Sequence, residues 1–121
     1  MATIKKFEDI LAWQKAREMN KYIYTITDTG KFNKDYTIKD QILRASFSIM
    51  LNIAEGFGRS TDKEFNYFLG IAHGSTAEVQ CALYIALDRT DIDLEEFQTI
   101  YDNCTEISKM IMGLKKYLKN K

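Results

Sequence analysis

The chain has 121 residues, of which 45% are hydrophobic and 28% are charged, close to the averages for soluble globular proteins. This composition excludes a disordered chain and indicates a single domain over residues 1–121. The 17 basic and 17 acidic residues cancel, so the chain lacks the overall positive charge typical of proteins that bind nucleic acid. With no proline and only six glycines, it favours a few long helices joined by short loops.

The first predicted helix runs from about residue 9 to residue 27. Its apolar residues recur at spacings of three and four, which places them on one face of a helix. These residues are Ala12, Trp13, Ala16, Met19, Ile23 and Ile26. We expect Gly30 and the polar stretch up to Asp35 to form the connection to the second helix.

The second predicted helix spans about residues 36–55 and is apolar on two sides. One face consists of Ile38, Ile42, Ala45, Ile49 and Ile53. A second apolar group lies roughly 100 to 160° away around the helix, and it consists of Leu43, Phe47, Met50 and Ala54. This arc is wider than one core contact needs. We expect Gly56 or Gly58 to take the left-handed conformation that ends many helices.

The third predicted helix, about residues 62–88, begins at a capping box formed by Thr61 and Glu64. Its main apolar face consists of Phe65, Phe68, Leu69, Ala72, Val79, Leu83 and Ala86. Nearly opposite is a second seam of Gly70, Gly74, Ala77 and Cys81, flanked by Tyr67 and Ile85. Because glycine costs roughly 1 kcal/mol inside a helix, this seam indicates a packing surface rather than a solvated face.

The fourth predicted helix, about residues 94–118, begins at a capping box of Asp93 and Glu96 and has one apolar face. Four long helices with short loops predict an all-α, antiparallel up-down-up-down four-helix bundle. Because the second and third helices are apolar on two sides, we expect the protein to self-associate through them, with Gly70 and Gly74 at or near the interface. The alternative is that this seam packs against the fourth helix within the subunit.

The charges are segregated near the C-terminus. Between Asp88 and Ser108 there are seven acids and one base, Arg89, and the chain then ends in five lysines without an acid. This order matches the dipole of one helix, and a nucleic-acid-binding tail is the alternative. The candidate nucleic-acid contacts are Lys5, Lys6, Lys115, Lys116, Lys119 and Lys121.

Several features bear on compartment. No apolar stretch is long enough to span a bilayer, and the start of the chain, Met1–Lys6, does not resemble a signal peptide. Cys81 and Cys104 lack metal-ligand or redox spacing and are interpreted as buried thiols in a reducing compartment, so we expect a cytoplasmic protein.

No residue pattern predicts catalysis, a metal or a cofactor. The only histidine, His73, aligns with Asn66 and Gln80 at seven-residue spacing, which favours a hydrogen-bonded boundary residue over a general base. Ser75 lies inside a predicted helix and not on the strand-to-helix turn that exposes a nucleophile. The Gly56-Phe57-Gly58 tripeptide follows a helix, so it does not match a dinucleotide-binding loop.

Two acids stand out by their positions. Glu55 lies at a helix C-terminus, where carbonyl dipoles repel it, so we expect a basic partner, either Arg59 or Arg17. Glu78 is an acid on a nearly apolar helix. We interpret both as paired structural charges at a subunit contact, and a ligand site is the alternative.

Three blocks of the sequence resemble a known family. They are FEDILAWQKAR at residues 7–17, QILRASFSIMLNIAEGFGR at residues 41–59 and FLGIAHGSTAE at residues 68–78. They resemble the bacterial four-helix-bundle family known as 23S rRNA-intervening-sequence proteins, or the S23 ribosomal protein family. One departure is Asn33, where members often have proline.

The resemblance implies an up-down-up-down bundle that assembles as a homopentamer, and it implies no catalytic role for any residue. The candidate structural or interface positions are Arg44, Asn52, Glu55, Arg59, Gly70, Gly74 and Glu78. A related pentameric bundle, the accessory protein of diversity-generating retroelements, is basic and binds nucleic acid and a reverse transcriptase, and the zero net charge of this chain departs from that pattern.

Two functional hypotheses follow. The first is a non-enzymatic, homo-oligomeric helical scaffold that acts through protein or RNA partners. The second is a nucleic-acid-binding accessory protein in which lysines from several subunits converge. An enzyme ranks third, since no convergent site is visible.

Overall fold

The structure, a computed structural model, describes residues 4–121. A 3₁₀ turn at Phe7–Asp9 precedes five helices. They are α1 (Leu11–Thr27), α2 (Gly30–Lys34), α3 (Tyr36–Phe57), α4 (Asp62–Asp88) and α5 (Leu94–Lys119). The four long helices differ from the predicted bounds by at most two residues. Met1, Ala2 and Thr3, on which the prediction of no signal peptide partly rests, lie outside the described residues.

The long helices form an antiparallel up-down-up-down four-helix bundle, which confirms the predicted fold class. Helix α3 packs between α1 and α4, and α5 packs against both α4 and α1, so each long helix has two neighbours around the bundle. The α3–α4 contact is the most extensive. A polar link crosses this contact, where the Ser75 hydroxyl donates to the Ser48 hydroxyl oxygen at 2.7 Å.

One continuous hydrophobic core fills the bundle, and all four long helices contribute to it. The apolar faces predicted from the sequence supply most of it. Its largest fully buried members are Met19, Ile23, Phe32, Ile42, Ile49, Ile53, Leu69, Val79, Leu83, Ile100, Ile107 and Ile111. None of the helices in residues 4–121 has the length and apolar character that a bilayer crossing requires.

The connection expected between the first two long helices contains the short helix α2. Gly30 opens it with a φ of +58°, a conformation that glycine adopts without strain. Phe32 is 1% exposed and joins the core, so burial of this one ring holds the turn against the bundle. A single apolar residue gives no periodicity, which is why the pattern did not predict a helix here.

The helix caps follow the sequence closely. Asp93 and Glu96 form the predicted capping box at the start of α5, because each side chain accepts the other residue's backbone N–H. At the start of α4 the predicted box is only half formed. Thr61 accepts the backbone N–H of Glu64, but the Glu64 carboxylate accepts the Thr61 hydroxyl instead of a backbone N–H. Arg59 attracts the other oxygen of that carboxylate, at 3.7 Å.

The prediction that Gly56 or Gly58 ends a helix in the left-handed conformation was wrong. Helix α3 continues through Gly56 to Phe57, and Gly58 has a φ of −75°. Gly56 is needed for close packing, since a Cβ there would lie 2.8 Å from the Cβ of Phe68. The glycine therefore permits α3 and α4 to approach each other at their connection.

Candidate functional site

The residues considered for catalysis, His73 and Ser75, lie on different sides of α4, with Ser75 facing α3. His73 is half-buried, as a boundary residue would be, but the predicted hydrogen bond was wrong, because its imidazole makes none to residues 4–121. Ser75 is buried, and its hydroxyl bonds to the Ser48 hydroxyl and the Ile71 carbonyl. In residues 4–121 no three His, Cys, Asp or Glu side chains cluster as metal ligands would.

Glu55 is paired with Arg59, one of its two predicted partners. The Arg59 Nε lies 2.9 Å from the Glu55 carboxylate, and its guanidinium lies over the Phe68 ring at 4.7 Å. Arg17, the other candidate, instead lies over the Trp13 ring. The Glu55–Arg59 pair offsets the unfavourable position of the acid at the end of α3.

Asn52 belongs to a polar link between α3 and α4. Its side-chain amide donates to the Ser48 carbonyl at 2.8 Å and to the Ser48 hydroxyl at 3.0 Å, and Ser48 in turn bonds to Ser75. Since all three side chains are at least half-buried, these bonds satisfy groups that water reaches poorly.

The side of α4 that faces α5, the α5-facing strip, carries Asn66, Gly70, His73 and Gln80. The Lys115 ammonium donates to the Asn66 carbonyl at 2.9 Å and to its side-chain oxygen at 2.6 Å. The Gln80 amide donates to the Tyr101 carbonyl and the Thr105 hydroxyl. Two of the three polar residues at seven-residue spacing therefore hold α5 in place.

A different side of α4 faces solvent. Its residues, which we call the outer seam, alternate in spacing of four and three and are all exposed. They are Tyr67, Ile71, Gly74, Glu78, Cys81 and Ile85. Tyr67 is 66% exposed, Ile71 37% and Ile85 45%. This spacing is that of a coiled-coil seam, in which each residue faces a partner helix.

The two glycines of the predicted seam separate in the structure. Gly70 faces α5, and a Cβ built there lies 3.4 Å from the Lys115 ammonium. A Cβ built at Gly74 meets nothing within 4 Å in the described residues. Gly70 thus packs against the fourth long helix within the subunit, which was the alternative to an interface. Gly74, Ala77 and Cys81 are exposed.

Two other predictions need correction. The second apolar group of α3 is largely covered within the subunit, because Leu43 is buried and Phe47, Met50 and Ala54 are half-buried. Cys81 is an exposed thiol, since it lies on the outer seam. Cys104 is buried as predicted, and burial raises its pKa to about 12.

Arg44 and Glu78 are both exposed, and neither makes an ion pair within residues 4–121. They lie on neighbouring helices, α3 and α4. Glu78 is an isolated charge in the otherwise uncharged outer seam. The outer stripe of α3, which we define as Arg44, Phe47 and Leu51, carries the isolated positive charge.

The candidate nucleic-acid contacts gather at one end of the bundle, where Ile4, Leu118 and Lys121 line the same cavity of about 340 Å³. The Lys115 ammonium donates a hydrogen bond to Asn66, and the Lys121 ammonium lies 3.3 Å from the Asp62 carboxylate. The other four side chains, those of Lys5, Lys6, Lys116 and Lys119, are exposed.

The opposite end holds a charged cluster that the sequence analysis missed. Arg89 binds the Asp35 carboxylate, and Lys31 donates to the Arg89 carbonyl and the Thr90 hydroxyl. The Arg89 hydrogen bond lowers the pKa of Asp35. Both carboxylate oxygens of Asp91 are buried without a donor in the described residues. Burial raises the pKa of Asp91, and the Asp35 carboxyl raises it further. The sequence signal that could have indicated this cluster is Arg89, the one base in a stretch with seven acids.

The fold and these sites define the class of protein: a four-helix bundle in which several polar side chains join neighbouring helices and one mainly apolar seam of α4 is exposed. The sequence profile described as 23S rRNA-intervening sequence protein matches residues 8–113. The chain belongs to this family, as the resemblance predicted. No enzymatic family is indicated.

A solved structure supports the fold independently. It is a protein of unknown function from the S23 ribosomal protein family of Bacteroides thetaiotaomicron, to which the chain is similar with a TM-score of 0.80 at 24% identity. The match covers 88% of this chain and 96% of that one. None of the curated proteins compared with the chain matches it.

Proposed function

We propose that this protein is a non-enzymatic, homo-oligomeric scaffold whose subunits join through the outer faces of α3 and α4. The observation that carries this proposal is the exposed outer seam of α4. Its glycine and large apolar side chains lie in one line, on a helix whose other sides are already packed. The number of copies we propose is five, which the family resemblance implies.

The arrangement of exposed apolar residues supports this choice of surface. Large exposed apolar side chains also occur on α1 and α5, namely Leu11, Tyr24, Leu94, Met112 and Tyr117. Single exposed residues of this kind are normal on protein surfaces. On α4, Tyr67, Ile71 and Ile85 occupy positions of one repeat that matches helix-to-helix packing.

The test is a native mass spectrum of the protein purified without nuclease treatment. The scaffold proposal predicts a clean mass of five 14.1 kDa subunits. A wild-type chain that stays at the mass of one subunit at micromolar concentration would contradict it. Another closed oligomer would keep the scaffold but correct the number of copies.

The second candidate function is a nucleic-acid-binding accessory protein. It is favoured by the gathering of exposed lysines at one end of the bundle, where residues 115–121 contain four lysines and no acid. A closed ring would repeat this patch once per subunit and raise the local positive charge, although the chain itself is neutral.

This candidate is tested by binding of a fluorescently labelled single-stranded RNA and a DNA of the same sequence. Phosphate contacts release counterions, so affinity is expected to fall steeply between low and moderate salt. The double substitution K116E/K119E should abolish binding, whereas K21E/K34E, away from this end, should leave it intact. Salt-independent binding, or equal effects of the two pairs, would reject the proposal.

A further inference from the structure

The outer seam carries one charge, and this charge limits which surface can cover it. Glu78 lies between Gly74 and Cys81 along the seam, and no cation lies on the seam between Tyr67 and Ile85. A partner that covers the apolar residues also removes water from this carboxylate. Burying an unpaired carboxylate is costly, so the partner surface must bring a positive charge to the height of Glu78.

A symmetric contact between two α4 helices does not meet this requirement. In that arrangement each outer seam would face another outer seam, which offers no cation. Two Glu78 carboxylates would then be buried in one apolar contact, and like charges in such a contact are unfavourable. The contact must therefore join two different surfaces.

The outer stripe of α3 offers the missing charge beside apolar surface. Arg44 is exposed and unpaired within residues 4–121, and Leu51, two turns further along the same side, is 66% exposed. Phe47 lies between them, half-buried, with its ring 5.9 Å from that of Tyr24 on α1. This combination of one arginine and two apolar side chains complements one glutamate flanked by apolar residues.

The heights of these residues along the bundle also match. The Ser48–Ser75 hydrogen bond marks one level on the antiparallel helices α3 and α4. Arg44 lies about 6 Å from that level, and Glu78 lies about 4.5 Å from it in the same direction. Leu51 and Ile71 lie about 4.5 Å and about 6 Å from it in the other direction.

A ring whose axis runs parallel to the helices keeps every residue at its own height. The α4 seam of one copy then meets the α3 stripe of the next copy with charge beside charge and apolar residue beside apolar residue. A contact between two different surfaces of one chain builds rings of this kind when the rotation closes.

We propose that the outer seam of α4 binds the outer stripe of α3 on a second copy of this chain, with Glu78 paired to the neighbour's Arg44 and Ile71 packed near the neighbour's Leu51. This inference rests on the proposed self-assembly and adds to it the identity and direction of the contact. It places the same ion pair at every subunit boundary.

The test reverses each of the two charges alone and then exchanges both in one chain, with assembly read by native mass spectrometry. Each of the variants E78R and R44E should have an association constant at least about tenfold lower than that of the wild type. The reason is that each variant places like charges across the contact. The double variant E78R/R44E should assemble like the wild type, because it restores a pair of opposite charges at every boundary of a closed ring, whatever the number of copies. The controls E18R and K21E reverse exposed charges on α1 that make no ion pair within residues 4–121, and they should assemble like the wild type.

Circular dichroism of each variant checks that the helices are intact. Variants that assemble as well as the wild type would overturn the proposed contact. So would a folded double variant that remains dissociated, because the restored opposite charges would then not restore the contact. A monomeric wild-type chain contradicts the proposed function itself, whereas an assembled wild type with unaffected variants contradicts only this contact.

Discussion

Gly70 and Gly74 are one turn apart on α4, yet they belong to two regions built on different principles. Around Gly70, the α5-facing strip is polar, and Asn66 and Gln80 form hydrogen bonds to α5. Around Gly74, the outer seam is mainly apolar and contacts solvent. Beside its buried apolar face, helix α4 thus has a polar strip where it meets α5 and a mainly apolar seam that is exposed in the subunit.

The two sides of α4 are suited to two different kinds of contact, one within the subunit and one between subunits. Hydrogen bonds between α4 and α5 fix a register within the fold, because a shifted helix would leave half-buried polar groups unpaired. An apolar seam with one charge suits a contact that forms between already folded subunits, because the apolar residues supply attraction and the charge selects the register.

Truncating a core residue and truncating an outer-seam residue of α4 should give the largest difference in the free energy of unfolding. Leu69→Ala removes a fully buried side chain and should lower the free energy of unfolding by about 2–5 kcal/mol. Ile71→Ala, on the outer seam, should lower it by less than about 1 kcal/mol but weaken assembly. Denaturant titration at a concentration where the subunit is monomeric, with mass spectrometry alongside, measures both. An equal loss of stability in the two variants would mean that the seam is part of the subunit core.

The α5-facing strip is tested by Asn66→Ala. This change leaves the half-buried Lys115 ammonium without its side-chain acceptor and should cost about 1–3 kcal/mol of unfolding free energy. Assembly measured by mass should not change, because this side faces α5 within the subunit. Dissociation of a variant that remains as stable as the wild type would place Asn66 at the interface instead.

Two exposed helical glycines separate intrinsic helix stability from packing. A Cβ at Gly74 or at Gly113 meets nothing within 4 Å in the described residues. Replacing either with glutamine should therefore stabilise the monomeric subunit by about 0.5 kcal/mol, since glycine is a poor helix former. Only Gly74→Gln should weaken assembly, because only Gly74 lies on the outer seam. Identical masses for both variants would count against close packing at Gly74.

The smallest effect concerns the charged end of the bundle and depends on pH. The pKa of Asp91 is raised in the folded state by burial and by Asp35, while Lys31 and Arg89 partly oppose this shift. Folding therefore loses stability as the pH rises through the raised pKa. Asp91→Asn removes this loss and should stabilise the protein at neutral pH by less than about 0.5 kcal/mol.

This gain should disappear as the pH falls below the ordinary pKa of aspartic acid, about 3.9, where the wild-type carboxyl is protonated in both states. Thermal unfolding of the two proteins across this range measures it. A gain that is constant with pH would show that titration of Asp91 is not its cause.

The helices could be predicted closely because their signals are local. The Asp93–Glu96 box and the apolar spacing of each helix act within a few residues along the chain. Contacts between distant residues leave no such signal. Asp35 and Arg89 are 54 positions apart, and the sequence shows only that Arg89 is a lone base among acids.

The two apolar sides of α3 and α4 show a second limit. Periodicity identifies apolar residues but does not say which helix covers them. Phe47 and Met50 on α3 are covered in part by the same subunit, whereas Ile71 and Ile85 on α4 are left exposed. The difference depends on how the four helices are arranged around the core, which is a property of the folded chain.

The most direct measurement of the central claim uses the two thiols. Cys81 lies on the outer seam and is exposed in the subunit, whereas Cys104 is buried, with its pKa raised to about 12, and serves as the unreactive control. Labelling of Cys81 by a thiol reagent should be slow at concentrations where the mass spectrum shows assembly, and fast after dilution to the monomer. Equally fast labelling of Cys81 in the assembled protein would show that no second copy covers the outer seam.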